Sequence, residues 1–393
     1  MLYRRFGRTE LQMPVFSCGG MRYQHSWQDI PPEKIPQKNQ ENLAATIHRA
    51  IALGINHIET ARGYGTSEIQ LGKVLPTFER SELIVQSKVS PKANPNEFSQ
   101  TVELSLSNLN LNYLDLLGFH GINNAETLDY SLRPGGCMEA ARKLQAQGKV
   151  RHIGFSTHGP TQVIVDAIES DLFDYVNIHW YYIFQDNWRA IEAATQRDMG
   201  VFIISPSNKG GNLYSPPPRL VELCKPLSPM VFNDLFCLSH PQVHTLSLGA
   251  ACPSDFDEHL KVLPLIEQAD ELLPPILEKL ERRAIATLGE HWYRTWKEGL
   301  PDLQSTPGHI NIAIALWLGN LVEAFDMVEY AQSRYNLLGG ASHWFPGNKA
   351  DNLSSFDLSE SLKNSPHSQT IPERLARIHE KIGGENVKRL SQQ

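Results

Sequence analysis

Short apolar segments alternate with amphipathic segments from the start of the chain to about residue 250. The apolar segments predict β-strands at residues 16–19, 55–59, 83–87, 113–119, 152–156, 175–179, 201–205 and 245–248. Between them, apolar residues recur at helical spacing in residues 41–53, 67–75, 95–109, 136–146, 161–169 and 187–197. Strands that alternate with amphipathic helices pair in parallel, so eight such units predict an α/β fold, the (β/α)8 TIM barrel.

An open, doubly wound parallel sheet is the main alternative to this barrel. Sheets of that kind that bind dinucleotides carry a glycine-rich fingerprint after the first strand, and this sequence lacks it. Polar residues that could carry chemistry also follow several different strands, which is the arrangement found at the mouth of a barrel. Both observations favour the barrel.

The barrel is predicted to occupy residues 1–263, beginning with a short hairpin at residues 1–15 that would close its bottom. Substrate specificity is expected to lie in mouth loops at residues 21–40, 121–135 and 180–186. The last of these loops, WYYIFQD, either forms an apolar wall of the pocket or packs beneath its own backbone.

After residue 263 the alternation stops, and residues 264–393 are predicted to form a mostly helical C-terminal extension. Residues 267–297 and 310–335 carry apolar residues at helical spacing, and the second segment is apolar on most sides near its start. From about residue 354 the chain is polar, and we expect this tail to be loosely held.

Composition narrows the class of protein. There are 36 basic and 43 acidic residues, a net charge of −7, and no cluster of Lys and Arg that would follow a phosphate backbone, so we expect no nucleic-acid partner. No window approaches the ~18 to 20 apolar residues of a membrane span, and Met1 leads into LYRRFGRTE without an apolar leader, so we expect no membrane association and no export. The five cysteines are widely spaced, which indicates reduced thiols and a cytoplasmic location.

The histidines of the predicted barrel give little support for a metal site. The pair His152 and His158 straddles a strand end. A metal-dependent hydrolase on the same barrel is therefore disfavoured, and we expect no metal site.

Candidate catalytic side chains follow three successive strands. The segment INHIETARGYG, residues 55–65, places Glu59 at the end of a strand and Tyr64 between two glycines. Lys88 ends the next strand, and His120 ends the one after it. Because parallel strands of a barrel end at the same mouth, these four side chains are expected to converge.

The motifs IETARGYGTSEIQLGKVL, IVQSKV, YLDLLGFH and KVRHIGFS, in this order, resemble those of aldo-keto reductases. In that family an Asp, a Tyr, a Lys and a His end successive strands; Tyr64, Lys88 and His120 match, and Glu59 stands in place of the Asp. The resemblance implies an NAD(P)H-dependent oxidoreductase that reduces aldehydes or ketones, a small-molecule carbonyl substrate, to alcohols. It makes Tyr64 the proton donor.

The resemblance also assigns roles to the neighbouring groups. Lys88 would stabilise the phenolate of Tyr64, Glu59 would hold Lys88 in place, and His120 would orient the substrate. The alternative is a weakly active or inactive reductase-fold protein that binds a dinucleotide and serves a regulatory or scaffolding role, because the replacement of Asp by Glu59 lengthens the acidic side chain.

The resemblance implies NADPH as cofactor, with NADH possible. Its nicotinamide carboxamide would be held by Ser156, Thr157 and Asn177. Its phosphates would lie on the loop at residues 205–211 and near the loop after the eighth strand, with contacts from Ser205, Asn208, Lys209, Gly210, Gly211 and Ser254. Ile204 stands where a large stacking residue is usual, and Asp255 stands where Arg or Gln is common, so repulsion of a 2′-phosphate by Asp255 would favour NADH.

The segments NLLGGASHWFPGNKA and SPHSQTIPERLARIHE resemble the C-terminal extension of a subset of aldo-keto reductases, which carries a ferredoxin-like iron–sulphur cluster. No cysteine follows Cys252, and Ser365 stands where a ligand cysteine is expected. Clusters need thiolates, so we expect a helical extension without an iron–sulphur cluster. We expect the protein to be a monomer or a small homo-oligomer.

Overall fold

The computed structural model describes residues 1–387, which form two compact units. The first unit contains Met1–Gly211 and Asn233–Ala269. The second contains Asn212–Phe232 and the described chain from Asp270. A domain boundary between residues 263 and 264 therefore stays a prediction, since one segment before it groups with the C-terminal unit.

The N-terminal hairpin consists of β1 (Tyr3–Arg5) and β2 (Gln12–Pro14), which pair antiparallel. Two of its residues, Phe6 and Met13, are fully buried and pack against Leu116, Tyr175 and Phe202 from the strands of the barrel. A side chain at position 200 would lie 2.6 Å from the Phe6 ring, so only a glycine there admits this ring. The predicted hairpin and its place at the bottom of the barrel are confirmed.

Eight parallel strands form a closed barrel in the order β10-β3-β4-β5-β6-β7-β8-β9, and the predicted (β/α)8 fold is confirmed. The strands are β3 (Phe16–Gly19), β4 (His57–Glu59), β5 (Ile84–Val89), β6 (Leu114–His120), β7 (Val150–Ser156), β8 (Tyr175–Ile178), β9 (Gly200–Ile203) and β10 (Thr245–Leu248). The observed bounds differ from the predicted ones by at most two residues, which is the usual uncertainty of element ends.

Ten helices follow the strands along the chain: α1 (Gln37–Ala52), α2 (Ser67–Leu71), α3 (Pro95–Leu109), α4 (Ala125–Leu132), α5 (Cys137–Ala146), α6 (Thr161–Glu169), α7 (Trp188–Gln196), α8 (Pro218–Cys224), α9 (Pro229–Leu238) and α10 (Phe256–Leu260). The prediction of a mouth loop over the whole of residues 121–135 is wrong, because this segment contains α4. The side chains of Asn124 and Thr127 form a capping box at the start of this helix.

The C-terminal chain is helical, as predicted. Its helices are α11 (Ala269–Leu288), α12 (Glu290–Thr295), α13 (Ile312–Phe325), α14 (Val328–Tyr335), α15 (Ser359–Leu362) and α16 (Ile371–Ile382). The expectation of a loosely held tail is wrong for α16, which buries Ile371, Leu375, Ile378 and Ile382. It approaches α13 so closely that a side chain added at Gly319 would lie 2.4 Å from Ile378.

None of the described helices is long and apolar enough to cross a membrane. Over the same part of the chain, no group of three or more His, Cys, Asp or Glu residues could hold a metal ion. All five cysteines are free thiols, and Cys252 is the one that is not buried.

Candidate active site

The first half of the site lies at the ends of β4, β5 and β6. Lys88 is paired in register with Gly118, two residues before His120 at the end of β6. Because side chains on one face of a strand recur every second residue, Lys88 and His120 point to the same side, into the barrel. Glu59 ends β4, and all three side chains are buried.

Glu59 and Lys88 form a buried ion pair. The Lys88 ammonium contacts Glu59 Oε1 and also donates to the carbonyl oxygen of Thr60 at 2.7 Å. The second carboxylate oxygen of Glu59 accepts from Ser247 Oγ at 3.4 Å. A buried charge is costly unless it is paired and hydrogen-bonded. These contacts supply both for Lys88 and hold its ammonium group in one position. The longer side chain of Glu59 therefore reaches Lys88.

Two glycines give this pair its space. A side chain at Gly118 would place its Cβ 2.8 Å from Lys88 Cγ, and one at Gly19 would lie 3.1 Å from Glu59 Oε2 and 2.7 Å from Ser247 Oγ. All three distances are shorter than ordinary van der Waals contact. The ion pair therefore requires the absence of a Cβ on β3 and on β6.

Tyr64 lies in the turn after β4, where its backbone N–H donates to the carbonyl of Ala61 at 3.0 Å. Its ring centroid is 4.8 Å from Lys88 Nζ and 5.7 Å from the ring of His120. Trp27, in the loop after β3, meets the Tyr64 ring edge-on at 6.0 Å. The structure thus brings together the four predicted catalytic side chains and adds Trp27, which the polar composition of its loop did not indicate.

The turn that carries Tyr64 is anchored by a buried carboxylate on α2. Glu68 is fully buried and accepts from Ser87 Oγ at 2.6 Å and from Asn108 Nδ2 at 3.2 Å. Burial raises the pKa of the Glu68 carboxyl, and the Ser87 hydroxyl opposes that rise. Since Ser87 immediately precedes Lys88, this contact ties the turn after β4 to the strand that carries the lysine.

A neutral histidine lies in the barrel close to Lys88. Burial, and then the charge of Lys88, lower the pKa of His57 to about 3. Its Nδ1 is 2.6 Å from Ser17 Oγ, and that hydroxyl is 2.7 Å from Thr245 Oγ1. Near neutral pH His57 is therefore uncharged and adds no second positive charge beside Lys88.

The second half of the site continues around the mouth in one layer. His120 is in register with Ser156 at the end of β7, and Ser156 is in register with Asn177 on β8. Asn177 is fully buried, and both its amide oxygen and its amide nitrogen lack a hydrogen-bond partner within the described chain. A buried amide with a free donor and a free acceptor fits a carboxamide such as that of nicotinamide.

Thr157 is also buried, but its hydroxyl forms hydrogen bonds with the backbone of the loops after β6 and β7. Its Oγ1 donates to the carbonyl of Ile122 at 2.7 Å and accepts from Gly159 N at 3.0 Å. The proton of this hydroxyl is thus used within the protein. Thr157 joins the loops after β6 and β7 and leaves Ser156 and Asn177 as the side chains suited to a carboxamide.

The loop after β9 contains four residues with left-handed backbone. Ser205 and Asn208 have positive φ angles of 59° and 52°, and Gly210 and Gly211 have φ angles of 90° and 83°. Left-handed residues recur in backbone turns that bind phosphate, and in this turn the N–H of Gly211 donates to the carbonyl of Asn208 at 2.9 Å. Asn208 is buried with an unpartnered Oδ1 among the described residues, and Lys209 is half-buried.

The charge distribution in the loop after β10 differs from the predicted one. Ser254 is exposed, and its Oγ lies 3.3 Å from Cys252 Sγ. Asp255 does not stand as an isolated negative charge, because its Oδ2 is 3.2 Å from Nη1 of Arg22. The expected repulsion of a 2′-phosphate by Asp255 is therefore offset by a guanidinium that the sequence did not indicate.

Two further residues near the mouth, His259 and Trp180, are packing residues. His259 is fully buried, with Nδ1 2.5 Å from Asp234 Oδ2. Trp180 is buried, stacks on Phe236 at 5.1 Å and contacts Trp188 at 5.0 Å. For Trp180, packing beneath the loop is thus the alternative that the structure shows.

A comparison with protein families matches residues 16–211 to the Aldo/keto reductase family. The chain belongs to this family. The matched region begins at β3 and ends after the loop that follows β9, so it includes the site residues from β3 to that loop but not Ser247 on β10 or the residues after it.

Two curated relatives are similar to this family member over part of their length. L-galactose dehydrogenase of Arabidopsis thaliana is 29% identical over 180 residues, which are 43% of this chain and 55% of the relative. Pyridoxine 4-dehydrogenase of Escherichia coli (strain K12) is 29% identical over 150 residues, 33% of this chain and 49% of the relative. The chain therefore matches about half the length of these relatives.

Among solved structures, an aldo-keto reductase from Klebsiella pneumoniae in complex with NADPH shares the fold, with a TM-score of 0.54 and 18% identity. The similarity covers 70% of this chain and 95% of that protein.

Proposed function

We propose that this protein is an oxidoreductase that reduces a small aldehyde or ketone to an alcohol with NAD(P)H. The observation that carries the proposal is the arrangement of one phenol beside one buried ammonium. Lys88 Nζ lies 4.8 Å from the centre of the Tyr64 ring and is fixed by Glu59. The relatives named as dehydrogenases of L-galactose and pyridoxine support the reaction class.

Reduction of a carbonyl needs a proton at oxygen and a hydride at carbon, and reduced nicotinamide supplies the hydride when bound. In the proposed reaction Tyr64 donates its phenolic proton to the carbonyl oxygen. The ammonium of Lys88 stabilises the phenolate that remains, and Glu59 keeps that ammonium in place. His120, edge-on to Tyr64, donates a hydrogen bond that orients the carbonyl.

The cofactor would be held at the other half of the mouth. The free amide of Asn177 and the hydroxyl of Ser156 suit the nicotinamide carboxamide, and the loop at residues 205–211 suits the phosphates. NADPH is the proposed cofactor, in line with the Klebsiella pneumoniae complex, and NADH is the alternative. We propose a cytoplasmic enzyme of small-molecule metabolism, without an iron–sulphur cluster, that acts as a monomer or a small homo-oligomer.

Replacement of Tyr64 tests this function. Tyr64→Phe removes one hydroxyl and keeps the ring, so we expect kcat for a panel of aldehydes to fall about 10²- to 10⁴-fold, the contribution of a general acid. The Kd for NADPH, measured by fluorescence titration, should stay within about twofold. Tyr3→Phe, at an exposed position outside the site, is the matched control and should change neither quantity.

The two proposed functions predict different results. If Tyr64→Phe keeps most of the wild-type kcat, another group donates the proton and the assignment of Tyr64 is wrong. If wild-type protein binds NADPH or NADH but reduces none of the aldehydes, the regulatory or scaffolding function replaces the enzymatic one. Ile204, which offers no aromatic surface for stacking, is the feature that favours this second outcome.

A further inference from the structure

An ion pair joins the loops that follow the first and the last strand of the barrel. Nη1 of Arg22 lies 3.2 Å from Oδ2 of Asp255 and donates to the carbonyl oxygen of Gly249 at 2.5 Å. The pair spans β3 and β10, which are adjacent in the sheet. Gly249 lets the arginine lie against the end of β10, since a Cβ there would be 3.3 Å from Arg22 Cδ.

The carboxylate of this pair is fixed by its own turn. Oδ2 of Asp255 accepts from the backbone N–H of Ala251 at 2.8 Å, and Oδ1 accepts from the thiol of Cys252 at 3.3 Å. Asp255 also belongs to the short 3-10 turn Pro253–Asp255 that leads into α10. Asp255 is therefore the fixed partner, and the long side chain of Arg22 is the one that can move.

The position of the pair relates it to phosphate binding. The neighbour of β10 on its other side is β9, and the loop at residues 205–211, which the proposed function assigns to the phosphates, follows β9. The side chains of Arg22 and Asp255 retain 25% and 17% of their exposure, so a ligand at the mouth can reach them. Arg22, whose guanidinium bonds to Gly249 at the end of β10, thus lies one strand away from that loop.

We propose that Arg22 binds a phosphate group of the dinucleotide and that Asp255 holds the same guanidinium when the cofactor is not bound. The inference rests on the proposed function, because the ligand is its cofactor. A guanidinium forms charge-assisted hydrogen bonds with either a carboxylate or a phosphate. Asp255 then weakens cofactor binding by competing for Arg22, and direct repulsion of the phosphate is the minor effect.

Titration of tryptophan fluorescence with NADPH and with NADH tests this proposal without measuring turnover. Arg22→Met removes the charge-assisted hydrogen bond and should raise the Kd about tenfold or more. Asp255→Asn keeps an oxygen acceptor for Ala251 but removes the competing charge, so the Kd should fall about two- to fivefold. In the double variant, Asp255→Asn should have no effect, since the group for which it competed is gone.

A matched control is available on α10, directly after the turn that contains Asp255. Asp257 lies in the first turn of α10 and pairs with Arg49 at 3.0 Å, so Asp257→Asn makes the same change of charge two residues away and should leave the Kd unchanged. Arg22→Lys keeps the cation without the planar fork and should recover part of the affinity lost in Arg22→Met. Thermal unfolding of each ligand-free variant shows whether it is folded.

The outcomes separate the possibilities. Effects confined to NADPH identify the 2′-phosphate as the ligand of Arg22, whereas equal effects on both cofactors identify the pyrophosphate. Tightening by Asp255→Asn that persists with Arg22→Met would show that Asp255 repels the cofactor directly, and the proposal would be wrong. Variants of Arg22 with wild-type Kd values would also overturn it while leaving the proposed function intact. If the wild-type protein binds neither dinucleotide, the proposed function itself fails.

Discussion

At the scale of single residues, the site is built around the length of one carboxylic side chain. Glu59 reaches the Lys88 ammonium with one oxygen and Ser247 with the other, and Gly19 leaves the space that this requires. The extra methylene relative to an aspartate is accommodated by β3, so the substitution of the family's Asp does not break the ion pair.

Glu59→Asp should therefore lower activity. The shorter side chain withdraws the carboxylate from Lys88 by about one bond length, and a misplacement of ~1 Å in a catalytic group can cost ~100-fold in rate. We expect kcat/KM for aldehydes to fall between about 10- and 100-fold, mostly in kcat. Glu59→Gln keeps the length and loses the charge. It separates the two contributions, and an Asp variant as active as wild type would show that the length of Glu59 is unimportant.

The candidate residues at strand ends could be predicted because each closes an apolar segment, and parallel strands of a barrel end together. Lys88 and His120 were identified in this way and Tyr64 by the family resemblance, and the structure places the Tyr64 ring beside both of them. The pair of Arg22 and Asp255 could not be predicted, because 233 residues separate its members and neither belongs to a periodic segment.

At the scale of secondary-structure elements, the sequence signal was strong where apolar periodicity was strong. α3 and α6 have the predicted bounds. α4 was missed because its buried residues are Thr127 and Ser131, so polar side chains face the interior and apolar periodicity is absent.

α16 shows the opposite case. Its apolar residues recur at helical spacing, but the polar composition of the segment led to the prediction of a loosely held tail. Ile371, Leu375, Ile378 and Ile382 follow one another at intervals of four, three and four residues, which is the spacing of one helical face. The polar residues between them made the segment look like a solvated tail. The pattern of apolar residues, rather than the average polarity, predicts what the structure shows.

Leu375→Ala tests how firmly α16 is held. Leu375 is fully buried, and removing such a side chain costs about 2–5 kcal/mol of unfolding free energy. In urea denaturation followed by circular dichroism, we expect a transition that moves to lower urea by the corresponding amount. Arg377→Ala, on the exposed face of the same helix, should lower the unfolding free energy by less than about 0.5 kcal/mol. Equal, small effects of both substitutions would contradict the packing of this helix.

At the scale of the whole molecule, two buried histidines make stability depend on pH. Burial lowers the pKa of His57 to about 3, and burial followed by the charge of Arg4 lowers the pKa of His244 to about 4. In the unfolded chain both titrate near 6.5. The unfolded state therefore binds more protons below pH 6.5, and the stabilisation present above that pH is lost as the pH falls toward 4 and 3.

We expect the unfolding free energy to decline from about pH 6.5 downward, by up to ~1.4 kcal/mol per pH unit for each histidine. Urea denaturation at pH 7, 6 and 5 measures this slope. His57→Gln and His244→Gln should each reduce this slope by the amount that corresponds to the uptake of about one proton on unfolding, whatever their effect on stability at pH 7. A slope that neither substitution changes would mean that other groups govern the acid sensitivity.

The closure of the barrel by its first and last strands has a consequence for how the protein is made. Arg4 in the N-terminal hairpin donates to the carbonyl of His240, 236 residues away, and Ser17 on β3 bonds Thr245 on β10 across 228 residues. A ribosome adds about 5–20 residues per second, so His240 and Thr245 are synthesised many seconds after the hairpin and β3. During that time β3 is an unpaired edge, and nascent chains that end before residue 245 should depend on chaperones to stay out of aggregates.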